Sequence, residues 1–306
     1  MVKVLIVCSG NYGYIQPFVL DQTQELIKRG IKVEYFLIKE KGFWGYLKHF
    51  PSLVQTLRKN SYDLIHAHHV LSGMLSILQR SVPVVVTFHG GDIEIFRNRL
   101  ISRLVIYFSK ANIFTNKRQL EVFNLAASFK NYLIPCGLDI SLFQPVEKNL
   151  ARELLNLYQN KYYILFASHF TRMEKNYKLA KESVELVKKD VNLIELKNYS
   201  RLEVNYLMNA VDLLLVTSFR ETGPIVVKEA MACNLPIIST DVGDVREVTT
   251  GVQNCFITNY SAEEIAAKID FILEKRPRTN GREKILKYHN DGIIAQIITI
   301  YDCVSK

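Results

Sequence analysis

The chain has 306 residues, which is long for one ordinary α/β domain and sufficient for two domains with buried cores. Hydrophobic residues make up 48% of it and charged residues 23%, and no apolar run reaches the roughly 20 residues of a membrane-spanning helix. The net charge of +9 indicates a polyanionic partner, which could be nucleic acid, a phosphorylated substrate or an anionic membrane surface.

The first apolar run and the cysteines both indicate a cytoplasmic protein. Residues 4–8 are followed by a glycine loop rather than a cleavage site, so we interpret them as a buried strand and not as a signal peptide. The five cysteines are scattered and include no C-x-x-C pair. This pattern argues for reduced thiols and against a disulfide framework or a zinc site.

Short apolar runs alternate with amphipathic segments over the first 145 residues, which is typical of a parallel sheet covered by helices. Strands are predicted at 4–8, 33–38, 63–67, 84–88, 111–115 and 132–134. A loop from Ser9 to Tyr14 follows the first strand, and the next helix is predicted to end at Gly30. The turn-rich segment 135–145 indicates a domain boundary.

The alternation then starts again. Further strands are predicted at 163–167, 192–196, 213–216, 236–239 and 255–258, with a helix at 176–189 and a last helix at 292–304. The sequence therefore predicts two α/β domains in tandem. Ligands of such sheets bind at the carboxyl ends of the strands, so the residues that follow each strand are the candidates for chemistry.

The segment 218–232 follows one of these strands and carries two glutamates. Pro224 is predicted in the first turn of a helix, whose N-terminus is a natural anion site. The amides expected to form that site are those of Thr222, Gly223 and Ile225. Glu221 precedes the helix and Glu229 falls in its second turn, so both could flank a bound ligand. The alternative is two exposed carboxylates, with Glu221 complementing the helix dipole.

Basic residues follow the strand 163–167, namely His169, Arg172 and Lys175. Cations at this point can bind a diphosphate. When a diphosphate acts as a leaving group, its negative charge must be neutralised. The alternative is a solvated charge run on a surface loop.

Histidines follow two strands of the first half. His89 comes directly after the strand 84–88, although a single histidine is more often structural than catalytic. His66, His68 and His69 suggest zinc, but they lie at a strand end and neither a carboxylate nor a cysteine completes a ligand set. We therefore predict no metal.

These motifs resemble those of the retaining glycosyltransferases of the GT-B fold, family 4 (group 1) type. The resemblance rests on the E-x₇-E spacing of Glu221 and Glu229, the Glu-Ala-Met-Ala-Cys run that follows, Lys175, and the run from His89 to Asp92. Further similarities lie at 134–145 and 240–247. The resemblance covers nearly the whole chain and is strongest from 211 to 247.

The resemblance implies two Rossmann-like domains facing each other across a cleft. Residues 1–145 would bind the acceptor, residues 146–290 would bind the nucleotide sugar, and the helix at 291–306 would return to the first domain. It also implies sugar transfer from a nucleoside diphosphate donor with retention of configuration, with neither a metal nor another cofactor. The acceptor would be a glycan or a lipid-linked intermediate of bacterial surface polysaccharide synthesis.

The resemblance also implies residue roles. His89, Lys175 and Glu221 would be catalytic, with His89 approaching the transferred sugar and Glu221 meeting the donor sugar. Glu229 would hold the ribose hydroxyls, and Arg172 would act beside Lys175 on the diphosphate. The remaining donor-binding positions would be Thr222, Gly223, Pro224, Ile225 and Gly243, the last leaving room for the donor. The acceptor-side positions would be Gly10, Gly13, Tyr14, His68 and Asp92.

The chain departs from the family pattern at four points. His169 stands where the family has arginine, and the Gly-x-Gly turn after 192–196 is replaced by residues 196–199. Asn234 and Cys255 stand where glycines are common. Two alternatives therefore stay open: a non-catalytic nucleotide-sugar-binding partner protein, and a nucleotide-sugar epimerase or hydrolase of the same fold. The absence of a G-x-G-x-x-G run argues against an oxidoreductase.

Two segments, 43–59 and 97–110, combine basic and aromatic residues at helical spacing. Such segments suit an anionic bilayer surface. The alternative is an apolar face directed to the core with a solvated basic rim. No nucleic-acid-binding motif is present, so we predict no nucleic acid partner and a cytoplasmic enzyme at the inner face of the cell membrane.

Overall fold

The computed structural model describes residues 2–11, 13–90, 96–128 and 130–305. The chain divides into two compact units: unit 1 is Met1–Gly137 with Asn290–Lys306, and unit 2 is Leu138–His289. The division after Gly137 lies inside the predicted turn-rich segment but ahead of the boundary predicted at residue 145. The reason is that Leu138 and Phe143 are both buried in the core of unit 2.

Unit 1 contains a parallel sheet in the order β2-β1-β3-β4-β5-β6. Its strands are β1 (Lys3–Ser9), β2 (Lys32–Ile38), β3 (Leu64–His68), β4 (Val84–Phe88), β5 (Ala111–Phe114) and β6 (Asn131–Leu133). Its first helices are α1 (Pro17–Lys28), α2 (Gly42–Leu47), α3 (Phe50–Lys59), α4 (Val70–Ile77), α5 (Phe96–Phe108) and α6 (Lys117–Val122).

Helices cover both faces of this sheet, which explains the continuous apolar runs of its strands. In β1, Val4 and Ile6 belong to one core cluster while Leu5 and Val7 belong to the cluster on the opposite face. Because successive side chains of a strand point to opposite faces, both sets must be apolar.

Unit 2 contains a second parallel sheet, in the order β11-β10-β9-β7-β8. Its strands are β7 (Tyr162–Phe166), β8 (Val191–Glu195), β9 (Leu213–Val216), β10 (Ile237–Thr240) and β11 (Cys255–Thr258). Its helices are α7 (Lys148–Leu154), α8 (Tyr177–Glu185), α9 (Arg201–Ala210), α10 (Ile225–Ala232), α11 (Val245–Thr249), α12 (Ala262–Lys275) and α13 (Gly281–Ile285). The predicted pair of α/β domains is confirmed.

The last helix, α14 (Asn290–Val304), belongs to unit 1. One of its faces is buried in the core of that unit through a stripe of large apolar side chains: Ile293, Ile294, Ile297, Ile300 and Tyr301. The spacing of three and four residues is that of a single helix face.

Both sheets have the same doubly wound order, in which the first strand lies between the second and the third. The strand order reverses between β1 and β3 in unit 1 and between β7 and β9 in unit 2. Open α/β sheets bind ligands at such switch points, beyond the carboxyl ends of the strands.

Candidate functional site

The first group of candidate side chains lies beyond β7 and β9, at the switch point of unit 2. Lys175 ends a short 3-10 helix, Met173–Lys175, after β7, and Glu221 lies in the loop after β9. The Lys175 ammonium forms an ion pair with Oε1 of Glu221, and Ser218 Oγ donates to the same oxygen at 2.7 Å. The two charged side chains are only 12% and 11% exposed. Two residues that the sequence assigned separately are therefore in direct contact.

Hydrogen bonds to the backbone hold these two loops together. The N–H of Phe219 donates to the Glu174 carbonyl at 2.9 Å, and Thr217 Oγ1 donates to the Lys175 carbonyl at 3.0 Å. Because these bonds fix the backbone beside Lys175, its ammonium is held in place before any ligand binds.

Gly243 packs against the loop that carries Glu221. A Cβ at this position would lie 2.8 Å from the carbonyl oxygen of Thr222 and 3.1 Å from the carbonyl carbon of Glu221. Its φ of +57° is also in the left-handed region, which glycine adopts at little cost. The glycine that the sequence assigned to donor space is therefore required by the close approach of two backbone segments.

Glu229 lies in the second turn of α10, as predicted, and is 2% exposed. Arg201 Nη1 donates to its Oε1 at 2.5 Å. A carboxylate this buried needs a paired charge or hydrogen bonds, and Arg201 supplies both.

Arg201 is not among the site residues predicted from the sequence. The sequence feature that could have drawn attention to Arg201 is the capping box formed by Ser200 and Glu203. This capping box starts α9, and Arg201 is the first residue of that helix. A capping box places the helix start well, but it does not indicate which carboxylate the arginine meets.

Arg172 is directed to a different partner from Lys175. Its Nε lies 2.7 Å from Oε1 of Glu174, two residues along the chain, and its side chain is 53% exposed. The role of Arg172 on the diphosphate stays a prediction that these contacts do not support.

Pro224 was predicted in the first turn of α10, but it lies just before that helix. Its ψ of 110° is extended backbone, so helical geometry begins at Ile225. The first N–H groups of an α-helix have no acceptor within the helix, and here they follow Thr222 and Gly223 directly. The helix therefore begins one residue later than predicted, and its anion site stays a prediction.

Two further charged residues lie next to this loop. The buried Lys228 holds its ammonium 3.8 Å from Oδ2 of Asp244, and the same oxygen would lie 3.1 Å from a Cβ at Gly223. Burial raises the pKa of Asp244, and the charge of Lys228 opposes that shift. The carboxylate thus lies directly against the backbone that leads into α10.

The second group of candidate side chains lies in unit 1. His68, the last residue of β3, and His89, directly after β4, are brought together, with Nδ1 of His68 at 2.9 Å from Nε2 of His89. Nδ1 of His89 lies 3.8 Å from Sγ of Cys136, and the ring of Phe18 packs on the imidazole with a centroid distance of 4.4 Å. Both ring nitrogens of the predicted catalytic histidine thus have neighbours within unit 1.

His66 extends this pair into a histidine row, defined here as His66, His68 and His89. The rings of His66 and His68 stack with centroids 4.4 Å apart. His66 Nδ1 is hydrogen-bonded to Tyr301 Oη at 2.6 Å and Nε2 to Thr87 Oγ1 at 2.7 Å, so α14 reaches the row. Burial lowers the pKa of His66 to about 3 and holds those of His68 and His89 well below 6.5. The row is neutral at pH 7.

Three of the other residues predicted on the acceptor side, Gly10, Gly13 and Tyr14, lie after β1, which is adjacent to β3 in the sheet. The N–H of Gly13 donates to the Gly10 carbonyl at 3.1 Å, and Gly13 has a φ of +78° that favours glycine. Tyr14 follows and is 59% exposed. Asp92 lies outside the described residues.

The histidines considered for zinc have other neighbours. His69 is the residue before α4 and has a φ of 73°, and its Nε2 lies 3.3 Å from Oε1 of Gln16. Among the residues that the structure describes, no group of three or more His, Cys, Asp or Glu side chains is arranged to hold a metal ion.

Asparagine takes the place of glycine at two of the family's turns. Asn198, in the loop after β8, has a φ of 61°, and Asn234, after α10, has a φ of 53°. Asparagine tolerates this left-handed conformation better than most residues. Asn234 thus keeps a glycine-like turn, whereas Cys255 begins β11.

The basic and aromatic segment on α5 presents large apolar side chains to solvent. The exposed ones are Leu100, Leu104, Tyr107 and Phe108. The Arg80 guanidinium lies 4.4 Å from the centroid of the Phe108 ring, and the Lys130 ammonium lies 5.8 Å from that of Tyr107. The same helix also has an apolar face directed to the core, as the alternative predicts: Val105 and Ile106 are buried there, and Ile101 packs against the same cluster. None of the helices in the described part of the chain combines the length and apolar composition that crossing a membrane requires.

Comparison with protein families gives a match in each half of the chain. Residues 2–142 match the model of Glycosyltransferase Family 4, and residues 192–290 match that of Glycosyl transferases group 1. The two doubly wound sheets have the arrangement of the two-domain GT-B fold, and each half of the chain is similar to a glycosyltransferase family model.

Among known proteins, the chain is similar to TuaC of Bacillus subtilis (strain 168), a glycosyltransferase named for teichuronic acid biosynthesis. The two are 28% identical over an alignment of 235 residues, which covers 68% of this chain and 60% of TuaC. The chain therefore spans less than two thirds of the length of that relative.

Two solved structures share the fold at low sequence identity. Sucrose-phosphate synthase from Thermosynechococcus elongatus gives a TM-score of 0.85 at 18% identity, covering 99% of each chain. HepE from Anabaena, solved with UDP and glucose, gives a TM-score of 0.78 at 19% identity, covering 99% of this chain and 100% of HepE. At such identities the likeness is one of fold.

Proposed function

We propose that the chain transfers a sugar from a nucleoside diphosphate to an acceptor and that unit 2 binds the donor. The observation that carries the proposal is a pair of carboxylates beside the switch point of the sheet, each in contact with a cation: Glu229 is buried, and Glu221 is 11% exposed. The diphosphate gains negative charge when it leaves, and the Lys175 ammonium together with the first amides of α10 would stabilise it.

The similarities supply the first choices of substrate. HepE was solved with UDP and with UDP-glucose, so we propose a uridine nucleotide as the first donor to test. TuaC is named for teichuronic acid biosynthesis, which supports a glycan or a lipid-linked intermediate of a bacterial surface polysaccharide as the acceptor.

The donor site can be tested by thermal unfolding of the full chain with UDP, GDP, ADP and their glucose esters. A ligand near 100 times its Kd should raise the free energy of unfolding by about 2.7 kcal/mol. We expect one nucleotide family to raise the unfolding midpoint of the wild type but not that of Glu229→Gln. Because this substitution leaves Arg201 without its carboxylate partner, each midpoint is compared with that of the same variant without ligand.

Glu185→Gln is the matched control for this experiment, since Glu185 lies on α8 in the same unit with 62% of its side chain exposed. It should keep the full response. A response that persists in Glu229→Gln, or a wild type that responds to none of the nucleotides, would argue for the non-catalytic alternative or for a donor site elsewhere.

We propose further that transfer retains the anomeric configuration and needs no metal ion. In this mechanism the leaving phosphate takes the acceptor proton on the same face of the sugar, so no protein nucleophile is required. Proton NMR of the product and rates measured with a chelator test both points. An inverted product, a trapped glycosyl-enzyme or loss of activity with the chelator would contradict this mechanism.

We propose that the exposed face of α5 holds the protein at the inner face of an anionic membrane. Tyr107 is 73% exposed and lies beside a cation, as suits an interface of lipid headgroups. Wild-type protein should sediment with vesicles containing phosphatidylglycerol at low salt, and less so at high salt. Tyr107→Glu should weaken that binding, whereas Tyr158→Glu, at a tyrosine of unit 2 that is 70% exposed, should not. Equal sedimentation of the two variants would contradict the assignment.

A further inference from the structure

Unit 2 has an open pocket at the edge of its sheet that is opposite the candidate donor site. The pocket has a volume of about 180 Å³. Its lining includes Tyr162, the first residue of β7, and Asp212, the residue before β9. Lys175 and Glu221 follow the other ends of these strands, and five residues of a parallel strand span roughly 16 Å. The pocket is therefore separate from the donor site.

The lining of this pocket is strongly cationic. Five of its side chains carry positive charge, and one carries negative charge: Lys148, Arg152, Lys161, Arg276 and Arg278 against Asp212. These residues come from four separate segments of the chain, namely α7, the residue before β7, the residue before β9 and the segment that follows α12. The fold, rather than a local run of basic residues, therefore brings the charges together.

The single carboxylate is already fully engaged. Asp212 Oδ1 lies 2.5 Å from the Lys148 ammonium, and Oδ2 lies 3.3 Å from Nη2 of Arg152. The N–H of Tyr163 also donates to Oδ2 at 2.8 Å. Arg152 is buried and donates its Nε to the Ala210 carbonyl at 2.9 Å. Asp212 and Arg152 thus form the floor of the pocket, and Lys148 shares the same carboxylate. Lys161 lies 4.0 Å from Asp190, whereas within the described part of the chain Arg276 and Arg278 form no ion pair with a carboxylate.

The cations at the rim are held near one another by neutral acceptors. Arg278 Nη2 donates to the Asn209 carbonyl at 3.4 Å, and Arg276 Nη2 donates to Tyr162 Oη at 2.9 Å. Burial lowers the pKa of Lys148 and that of Arg278, and the charge of Arg152 lowers both further. Like charges assembled in this way repel one another, and an anion between them would relieve the repulsion.

We propose that this pocket is a binding site for a small phosphate-class anion, distinct from the nucleotide-sugar site. Guanidinium groups offer paired N–H donors that match phosphate oxygens, and Lys148 and Lys161 add point charges. The pocket is smaller than the roughly 300–1,000 Å³ of sites for larger ligands, so it suits inorganic phosphate or a phosphomonoester head rather than a whole nucleotide sugar.

The test is a titration of the full chain with inorganic phosphate at low ionic strength. Binding is measured by calorimetry and by the phosphorus NMR signal of the phosphate. We expect saturable binding to the wild type, and binding at least about tenfold weaker to Arg278→Gln, because a charge-assisted hydrogen bond is lost. Lys181→Gln, on the exposed surface of α8, should bind as the wild type does. Lys161→Gln is the second variant, since Lys161 is 45% exposed and its loss leaves the floor of the pocket intact.

Phosphate could also bind at the proposed donor site, and Lys175→Gln separates the two sites. Binding that survives in Lys175→Gln and weakens in the two pocket variants supports the proposal, whether or not any nucleotide binds. Binding that is lost in Lys175→Gln and kept in Arg278→Gln or Lys161→Gln overturns it, as does a wild type that does not bind phosphate saturably. A parallel titration with glycerol 3-phosphate distinguishes the free ion from a phosphomonoester such as a lipid headgroup.

Discussion

Replacement of Lys175 by alanine is expected to lower kcat for nucleoside diphosphate release about 100- to 1,000-fold, the usual effect of removing a group that stabilises developing negative charge. Lys175 is only 12% exposed and contacts Glu221 beside the switch point of unit 2. The charge of a leaving diphosphate grows mainly in the transition state, so the loss should fall on kcat more than on KM. Steady-state rates with the nucleotide sugar that binds in the thermal panel measure this effect.

Lys178→Ala is the matched control, three residues further along the chain. Lys178 is 84% exposed and pairs with Glu182 on the surface of α8, so its loss should leave kcat unchanged. A Lys175→Ala enzyme with normal kcat and raised KM would show that Lys175 binds the donor without stabilising the transition state. The unfolding midpoints of both variants distinguish this effect from a loss of folded protein.

The strands could be predicted because both faces of each sheet are buried, so the central strands are continuous apolar runs. β4, β9 and β11 begin and end at the predicted residues. β1 is longer than predicted at both ends, because Lys3 and Ser9 pair with residues of β2 through their backbones. Backbone pairing does not require an apolar side chain, so hydrophobicity alone underestimates such a strand.

The side-chain contacts of the donor region could be predicted only in part. The spacing of Glu221 and Glu229 placed one of them before α10 and the other in its second turn, and the structure has them there. Their partners are 46 residues away in the case of Lys175 and 28 in the case of Arg201. Contacts across such separations depend on the conformations of the loops after β7 and β8. The local periodicity of the sequence does not predict these conformations.

The one-residue difference at Pro224 has a local cause. Proline fixes φ near −65°, which suits both the first turn of a helix and the residue that precedes it. The ψ angle decides between the two, and at 110° it places Pro224 before the helix. In unit 1, the sequence similarly marked His68 and His89 but not their mutual contact, because they follow different strands.

Lowering the pH from 7 to 5 is expected to destabilise unit 1, because the unfolded chain binds protons at histidines that the folded chain keeps neutral. Burial lowers the pKa of His66 to about 3, against an unfolded value near 6.5. Its contribution to stability is therefore complete above pH 6.5 and is lost progressively as the pH falls towards 3. At pH 5 this histidine alone should lower the free energy of unfolding by about 2 kcal/mol. His68 and His89 act in the same direction.

Urea unfolding at several pH values, read by hydrogen exchange of peptides that contain β3, isolates this effect in unit 1. In His66→Gln the amide can still bond to Tyr301 and Thr87 but does not titrate. Below pH 6 the free energy of unfolding of this variant should therefore fall less steeply with decreasing pH than that of the wild type. The two slopes should differ by about 1.4 kcal/mol per pH unit. His169→Gln, in unit 2, is the control and should leave the slope for β3 unchanged. Because the slopes of unfolding free energy against pH are compared, a uniform loss of stability from the substitution does not affect the result. Equal slopes for the wild type and His66→Gln would mean that burial of His66 is not coupled to proton binding.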